Sequence, residues 1–153
     1  MRSLRHADSR AHLRRRLEGL PPDSQPRWGH FTAPQMLAHL TESLRMAMGE
    51  LAVSSRPARP ILRHAPFKQL AVYLLPIPKG IPTSPELLLR AAGMTGGMWA
   101  AEQAEFAAVL ERFGGRPVDY AWPAHPTFGP LSGSAWGVLQ YRHLDHHCRQ
   151  FGV

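Results

Sequence analysis

The chain has 153 residues, 44% of them hydrophobic and 19% charged, a globular balance that excludes intrinsic disorder and leaves room for one domain with a sizeable core. No apolar run reaches the roughly 20 residues needed to span a bilayer, and a single cysteine, Cys148, excludes both an internal disulfide and a thiolate zinc finger. The formal charge of +7 raises nucleic acid as a partner, but the cations are scattered, nearly all arginine, and belong to no nucleic-acid motif.

The first predicted element is a helix over Ser3 to Leu20, with Leu4, Leu13, Leu17 and Leu20 as an interrupted apolar stripe. It carries the densest basic cluster, Arg10, Arg14, Arg15 and Arg16. No aromatic residues interleave with it, so it reads as a solvated helix face, and nucleic acid is not the expected partner. The same Met1 to Leu20 segment lacks the apolar core of a secretion signal, which makes the cytoplasm the expected location. Pro21 and Pro22 stop the helix, and a loop runs through Pro26, Trp28 and Gly29.

The second helix has the clearest start in the chain. Thr32 and Gln35 form a capping box, and Pro34 lies in the first turn, where its missing N–H does no harm. Met36, Leu37, Leu40, Leu44, Ala47, Met48 and Leu51 then fall on one side of a helical wheel. The stretch Ser54 to Pro60 is a proline- and arginine-rich break. Ile61 to Leu75 is expected as a shorter third helix despite Pro66 inside it, and Pro76 to Thr83 excludes regular helix or central strand. A further helix is predicted from Met98 to Phe113, ending at Gly114-Gly115. After the loop Arg116 to Pro130, a last helix begins near Ser132 or Ser134 and ends around Gln150. Nothing alternates with period two, so the class is all-α, and four substantial helices suggest a bundle with long connecting loops.

Nine histidines is a high count for this length. On the last helix His143 and His147 lie about 40° apart and one turn along the axis. They share a face with Trp136, Leu139 and Phe151, while Arg142, Asp145 and Arg149 lie opposite. Two imidazoles buried side by side are costly unless their nitrogens find partners. A divalent ion is one solution, since imidazole suits zinc, nickel, copper or iron. The spacing also fits two core histidines satisfied in other ways, or a pair at a wet end of a bundle. His146, three residues after His143, is a rival that swings to the flank.

His39 is the best third ligand by position, because it borders the apolar stripe of the second helix near Ser43 and Met46. His30, His64 and His125 lie in loops or near a break. Two or three histidines with an open position make a catalytic-type site. Trp28, His125, Phe128 and Trp136 are candidate pocket walls, and Cys148 reads as a packed core thiol.

Three blocks of sequence carry a resemblance. Trp28-Gly29 with Thr32-x-x-Gln35-Met-Leu-x-His39-Leu40 is the first, and His143-x-x-His146-His147-x-x-Gln150 is the last. Between them stand Pro76-x-Pro-Lys-Gly-x-x-Thr83 and His125-Pro-x-Phe-Gly-x-Leu-Ser132. Together they resemble the DinB/YfiT-like superfamily of metalloenzymes, and within it a bacterial branch of unassigned activity. The likeness runs from Trp28 to the end and is loose over the first helix. It implies that residues 1–153 form one DinB-like domain, a four-helix bundle in up-down-down-up order that pairs as a homodimer.

The resemblance also implies a divalent metal ion, usually zinc or nickel, held by His39, His143 and His147. Characterised relatives work on small molecules with low-molecular-weight thiols. The expected function is therefore a metal-dependent enzyme, a thiol-dependent transferase or isomerase, or a hydrolase. The alternative is a stress-linked binding or structural protein whose metal only stabilises the bundle. Catalytic residues are not assigned, and no membrane partner is expected.

Overall fold

The structure, a computed structural model, describes residues 1–54 and 60–153, so most of the predicted Ser54 to Pro60 break lies outside the described residues. Among the described residues there is no strand. The one β-type pairing among those residues is an isolated bridge between His125 and Gly129.

Four long helices carry the fold: α1 (Ala7–Glu18), α2 (Ala33–Ala47), α4 (Trp99–Gly115) and α5 (Gly133–Gln150). A short helix, α3 (Phe67–Gln69), lies between α2 and α4. In α2 the capping box forms as expected: the Gln35 amide donates to Thr32 Oγ1 at 3.3 Å, and the Thr32 amide donates to Gln35 Oε1 at 3.0 Å. Ser132 caps α5 by accepting the Ala135 amide at 3.2 Å.

The first helix is shorter than predicted. Residues Ser3 to His6 form a bent lead-in, and Leu4 is buried from this non-helical position. The reason lies in α5: the Leu4 amide donates to the Gly137 carbonyl at 3.0 Å, and a Cβ at Gly137 would come within 2.5 Å of Ser3 Oγ. Only glycine admits that crossing.

The predicted third helix over Ile61 to Leu75 is replaced by broken pieces. A 3-10 turn, Pro60–Arg63, precedes α3, which continues into one π turn, Leu70–Leu74. Pro66 has no N–H to donate, so the helix restarts there, with the Leu70 amide donating to its carbonyl at 3.0 Å. Arg142 of α5 then donates to the carbonyls of Ala71, Val72 and Leu75, closing the end of the π turn. Pro76 to Thr83 is irregular, as its prolines require. Three further 3-10 turns, Pro85–Leu87, Ala91–Gly93 and Gly96–Met98, were not predicted, yet they bury Leu87 and Ala91.

The long helices contact one another in a closed cycle, α1 to α5, α5 to α2, α2 to α4 and α4 back to α1. Leu13 and Leu17 of α1, Leu37, Leu40 and Leu44 of α2, Phe106, Leu110 and Phe113 of α4, and Trp136 and Leu144 of α5 meet inside it. Beside this core, Glu102 of α4 is buried but bonded to Thr41 and to the Arg90 guanidinium, which keeps its charge paired. No helix of the described residues is long and apolar enough to cross a membrane.

Candidate metal centre

The inward face of α2 brings His39 to α5, where His143 and His147 occupy successive turns. His39 and His147 are 4% and 8% exposed; His143 keeps an accessible edge. One nitrogen from each ring lies within 4.8 Å of the other two. The atoms that face one another are all Nε2: His39 to His143 is 3.2 Å, and His147 to His143 is 3.2 Å. His39 is thus a fully enclosed member of the trio, whereas its place on the wheel put it at the edge of the stripe.

Hydrogen bonds on the far side of each α5 ring fix where its proton sits. Gln150 Nε2 donates to the Trp28 carbonyl at 2.7 Å, which turns Gln150 Oε1 toward His147 Nδ1, also at 2.7 Å. An amide oxygen only accepts, so His147 Nδ1 must carry the proton and the neutral ring's Nε2 a lone pair. His143 reaches the same state through a relay. Gln140 Nε2 donates to the Ser43 carbonyl at 3.4 Å, and Gln140 Oε1 accepts the Ser43 hydroxyl at 3.1 Å. That hydroxyl has no second proton, so its oxygen accepts from His143 Nδ1 at 3.1 Å. Two lone pairs therefore face each other across 3.2 Å.

His39 cannot relieve both. A proton on its Nε2 would serve one neighbour only, and would leave its buried Nδ1, which has no hydrogen-bond partner, as a bare acceptor. The main chain of Leu87 is the group near enough to favour a proton on that ring, although outside hydrogen-bond geometry. Protonating His143 instead is disfavoured. Burial, then the neighbouring imidazoles of His147 and His39, hold it well below its ordinary value. Burial likewise lowers His39 to about 4 and His147 to about 3.

A shared cation would resolve the conflict. Nitrogens bound tetrahedrally to one zinc ion at 2.0–2.1 Å stand about 3.3 Å apart, close to the two spacings seen here. The donor set fits a borderline-soft divalent ion, and the Nδ1–H of each α5 ring already has an acceptor that orients it.

No protein family, curated protein or solved structure matches the chain.

The remaining predicted residues divide into two groups. Trp28 sits edge-on to His146 at 5.7 Å between ring centres, with the Lys79 ammonium 4.2 Å from its own ring centre; its carbonyl serves Gln150. Gly29 follows in a left-handed conformation (φ 79°), where a Cβ would lie 2.7 Å from Gln150 Nε2. The Trp28-Gly29 pair thus seats the amide that orients His147. His125, Phe128 and Trp136 form a separate aromatic stack, with ring centres 4.8 and 5.2 Å from His125. His146 is adjacent to His147 but outside the convergence, and Cys148 is buried, its thiol pushed up to about 11 by burial.

Phe31, whose ring centre lies 5.3 Å from that of His39 and 6.2 Å from that of His147, was not anticipated from the sequence. Nor were the roles of Ser43, Gln140 and Gln150. Their signal was available in the helical spacing, since each lies three or four residues from a cluster histidine on a buried face.

Proposed function

We propose that this chain is a DinB-like metalloprotein, a four-helix bundle that binds one divalent ion, zinc or nickel, through Nε2 of His39, His143 and His147. The observation that carries this reading is the pair of facing lone pairs imposed on His143 and His147 by Gln140, Ser43 and Gln150. The closed cycle of helix contacts supports the bundle, and the sequence blocks around these residues support the kinship.

Among the described residues three imidazoles make up the cluster, and burial keeps them neutral. Structural zinc sites are almost always closed by four protein ligands, so three favour an enzyme over a staple. When bound, an ion with neutral ligands lowers the pKa of a coordinated thiol or water and supplies a nucleophile near neutral pH. The protein's own contribution is to hold the two α5 rings in one tautomer, with Phe31 packed over His39 and His147. We therefore read the function as metal-dependent transfer or activation of a small thiol.

Elemental analysis of protein purified without an affinity tag tests the site. About one equivalent of a transition metal is expected, and His39→Ala, His143→Ala and His147→Ala should each lose most of it. Unchanged content in all three variants removes the site. A thermal-shift screen of small thiols on the metal-loaded chain tests the activity class, because a ligand of the folded state raises the melting temperature by mass action. Silence across thiols, with metal content intact, would leave the ion as a structural staple.

A further inference from the structure

Between the Ser54 to Pro60 break and the end of the Pro-Lys-Gly loop, the fold turns apolar side chains outward. Ile61, Phe67, Leu70, Leu74, Leu75 and Ile81 are each more than a third exposed, and Leu74 reaches 67%. Helical spacing gathers three of them: at about 100° per residue, Phe67, Leu70 and Leu74 fall within roughly 60° of one another. Val72, on the opposite side of the same turns, is 1% exposed and packs against the core. The segment is therefore amphipathic, with its inner face packed and its outer face bare. Leu74 and Leu75 have more than half of their surface in solvent, so they form a ridge and not a groove. Single exposed apolar residues are ordinary, but a set on one face, rimmed by charge, marks a contact surface.

The charge beside the ridge has one sign. The sequence holds no aspartate or glutamate between Glu50 and Glu86, yet five lysines and arginines stand in that span. Lys68 is steered by the Pro130 carbonyl at 3.2 Å, and the Lys79 ammonium lies 4.2 Å from the Trp28 ring centre. Arg142 reaches from α5 to the carbonyls of Ala71, Val72 and Leu75, which sets a further cation against the ridge. None of these three cations has a carboxylate partner among the described residues, so their charge is left to be met from outside.

We propose that this ridge docks on an anionic lipid bilayer, with Phe67, Leu70, Leu74 and Leu75 entering the interface and Lys68 and Lys79 drawn to the headgroups. A lipid surface matches both halves of the patch: the apolar groups enter the acyl boundary while the cations meet anionic headgroups. A second copy of the chain suits the ridge less well, because a twofold contact sets like cations against one another. The contact is peripheral, since no helix of the described residues is long and apolar enough to cross a membrane. It adds a membrane surface where the sequence alone pointed to none, and it does not depend on the metal reading.

Co-flotation of the full chain with vesicles tests it. The parent should bind vesicles of phosphatidylcholine with about a third phosphatidylserine at least about tenfold more tightly than pure phosphatidylcholine, and added salt should narrow the gap. A Leu74→Ser, Leu75→Ser double variant should lose about tenfold or more in that affinity while keeping the parent's urea midpoint, because both side chains already face solvent. Lys79→Gln should weaken binding to the anionic vesicles about fivefold, and it carries the test alone if the double variant fails to fold. Val118→Ser, which removes an exposed apolar residue outside the ridge, should bind as the parent does. A parent that floats with neither vesicle overturns the proposal, as does equal binding to both kinds or parent-like binding by Lys79→Gln. A loss in Val118→Ser as large as in the double variant overturns it too. So does a lipid-free parent dimer, seen by analytical ultracentrifugation, that the double variant splits, which would assign the ridge to a second copy.

Discussion

Gln150 touches no reacting group, yet it decides which nitrogen of His147 is free. Its amide is gripped at one end by the Trp28 carbonyl and presents its oxygen to Nδ1 at the other. Gln150→Leu removes that preference while leaving His147 in place, and Ser43→Ala does the same to His143 by breaking the relay through Gln140. Each variant should bind zinc about 10- to 100-fold more weakly, the usual cost of losing a group that orients a metal-bound histidine. Competition with a chromophoric chelator measures this, and affinities equal to the parent's would show that the tautomers are set elsewhere.

The same burial gives the metal-free protein a defined response to pH. In the unfolded chain histidine titrates near 6.5, whereas in the fold His39 and His125 are lowered to about 4 and His147 to about 3. Above pH 6.5 both states are neutral and these rings leave stability unchanged. Between pH 6.5 and about 4 the unfolded chain binds protons that the fold refuses, so stability falls as the solution is acidified. Each ring that stays neutral costs up to about 1.4 kcal/mol per pH unit. Urea unfolding of chelator-treated protein at pH 7, 6 and 5 should show a steep decline, and a flat profile would mean that the rings are not enclosed.

Among the elements, α2 was the most legible, because its start is chemical. Thr32, Pro34 and Gln35 specify a helix N-terminus by hydrogen bonds that depend on little else, and the structure places each as expected. Thr32→Ala should cost about 1 kcal/mol, read as a lower urea midpoint with an unchanged slope. The start of α5 was legible for the same reason, through Ser132, whereas α4 runs on through Gly114 and Gly115 and stops at Arg116, past the predicted end at Phe113. Apolarity misled where tertiary contacts decided: Leu4 joins the α1 leucines by type, but it lies about 180° from Leu13 on a helical wheel and is buried from outside the helix, where its amide bonds to Gly137. The segment from Ile61 to Leu75 failed for a related reason, since its shape depends on Pro66 and on Arg142, 67 to 71 residues away.

For the site, the H-x3-H pair showed two members of the cluster, and the third came from its position on α2 and from the resemblance. The tautomer chain was hidden because glutamine and serine mid-helix have many bland uses. Arg142 yields a prediction of its own: its carbonyl contacts tie the π turn to α5, so Arg142→Ala should free the backbone at the already exposed Leu74 and Leu75 and speed cleavage there by chymotrypsin. Cleavage near those residues that is no faster than in the parent would show that the segment holds itself.

Over the whole molecule, many of the arginines are held in ion pairs. Of the four clustered in α1, Arg10 pairs with Glu111 and Arg16 with Asp145, tying α1 to α4 and α5, while Arg14 pairs with Glu18 within the helix. The imidazole cluster joins α2 to α5 across more than 100 positions of sequence. An ion there would stabilise only the folded chain, because the three imidazoles converge only when those helices are packed. At a free zinc concentration about 100 times Kd the gain is about 2.7 kcal/mol, and for a chain of this size each kcal/mol moves the melting temperature by about 2–4 °C. Calorimetry should therefore show a rise of about 5–10 °C on adding zinc, reversed by chelator and absent in His143→Ala, whose ring faces both of the others. An equal rise in that variant would place the ion elsewhere on the molecule, and no rise in the parent would mean that the facing nitrogens are reconciled by some other means.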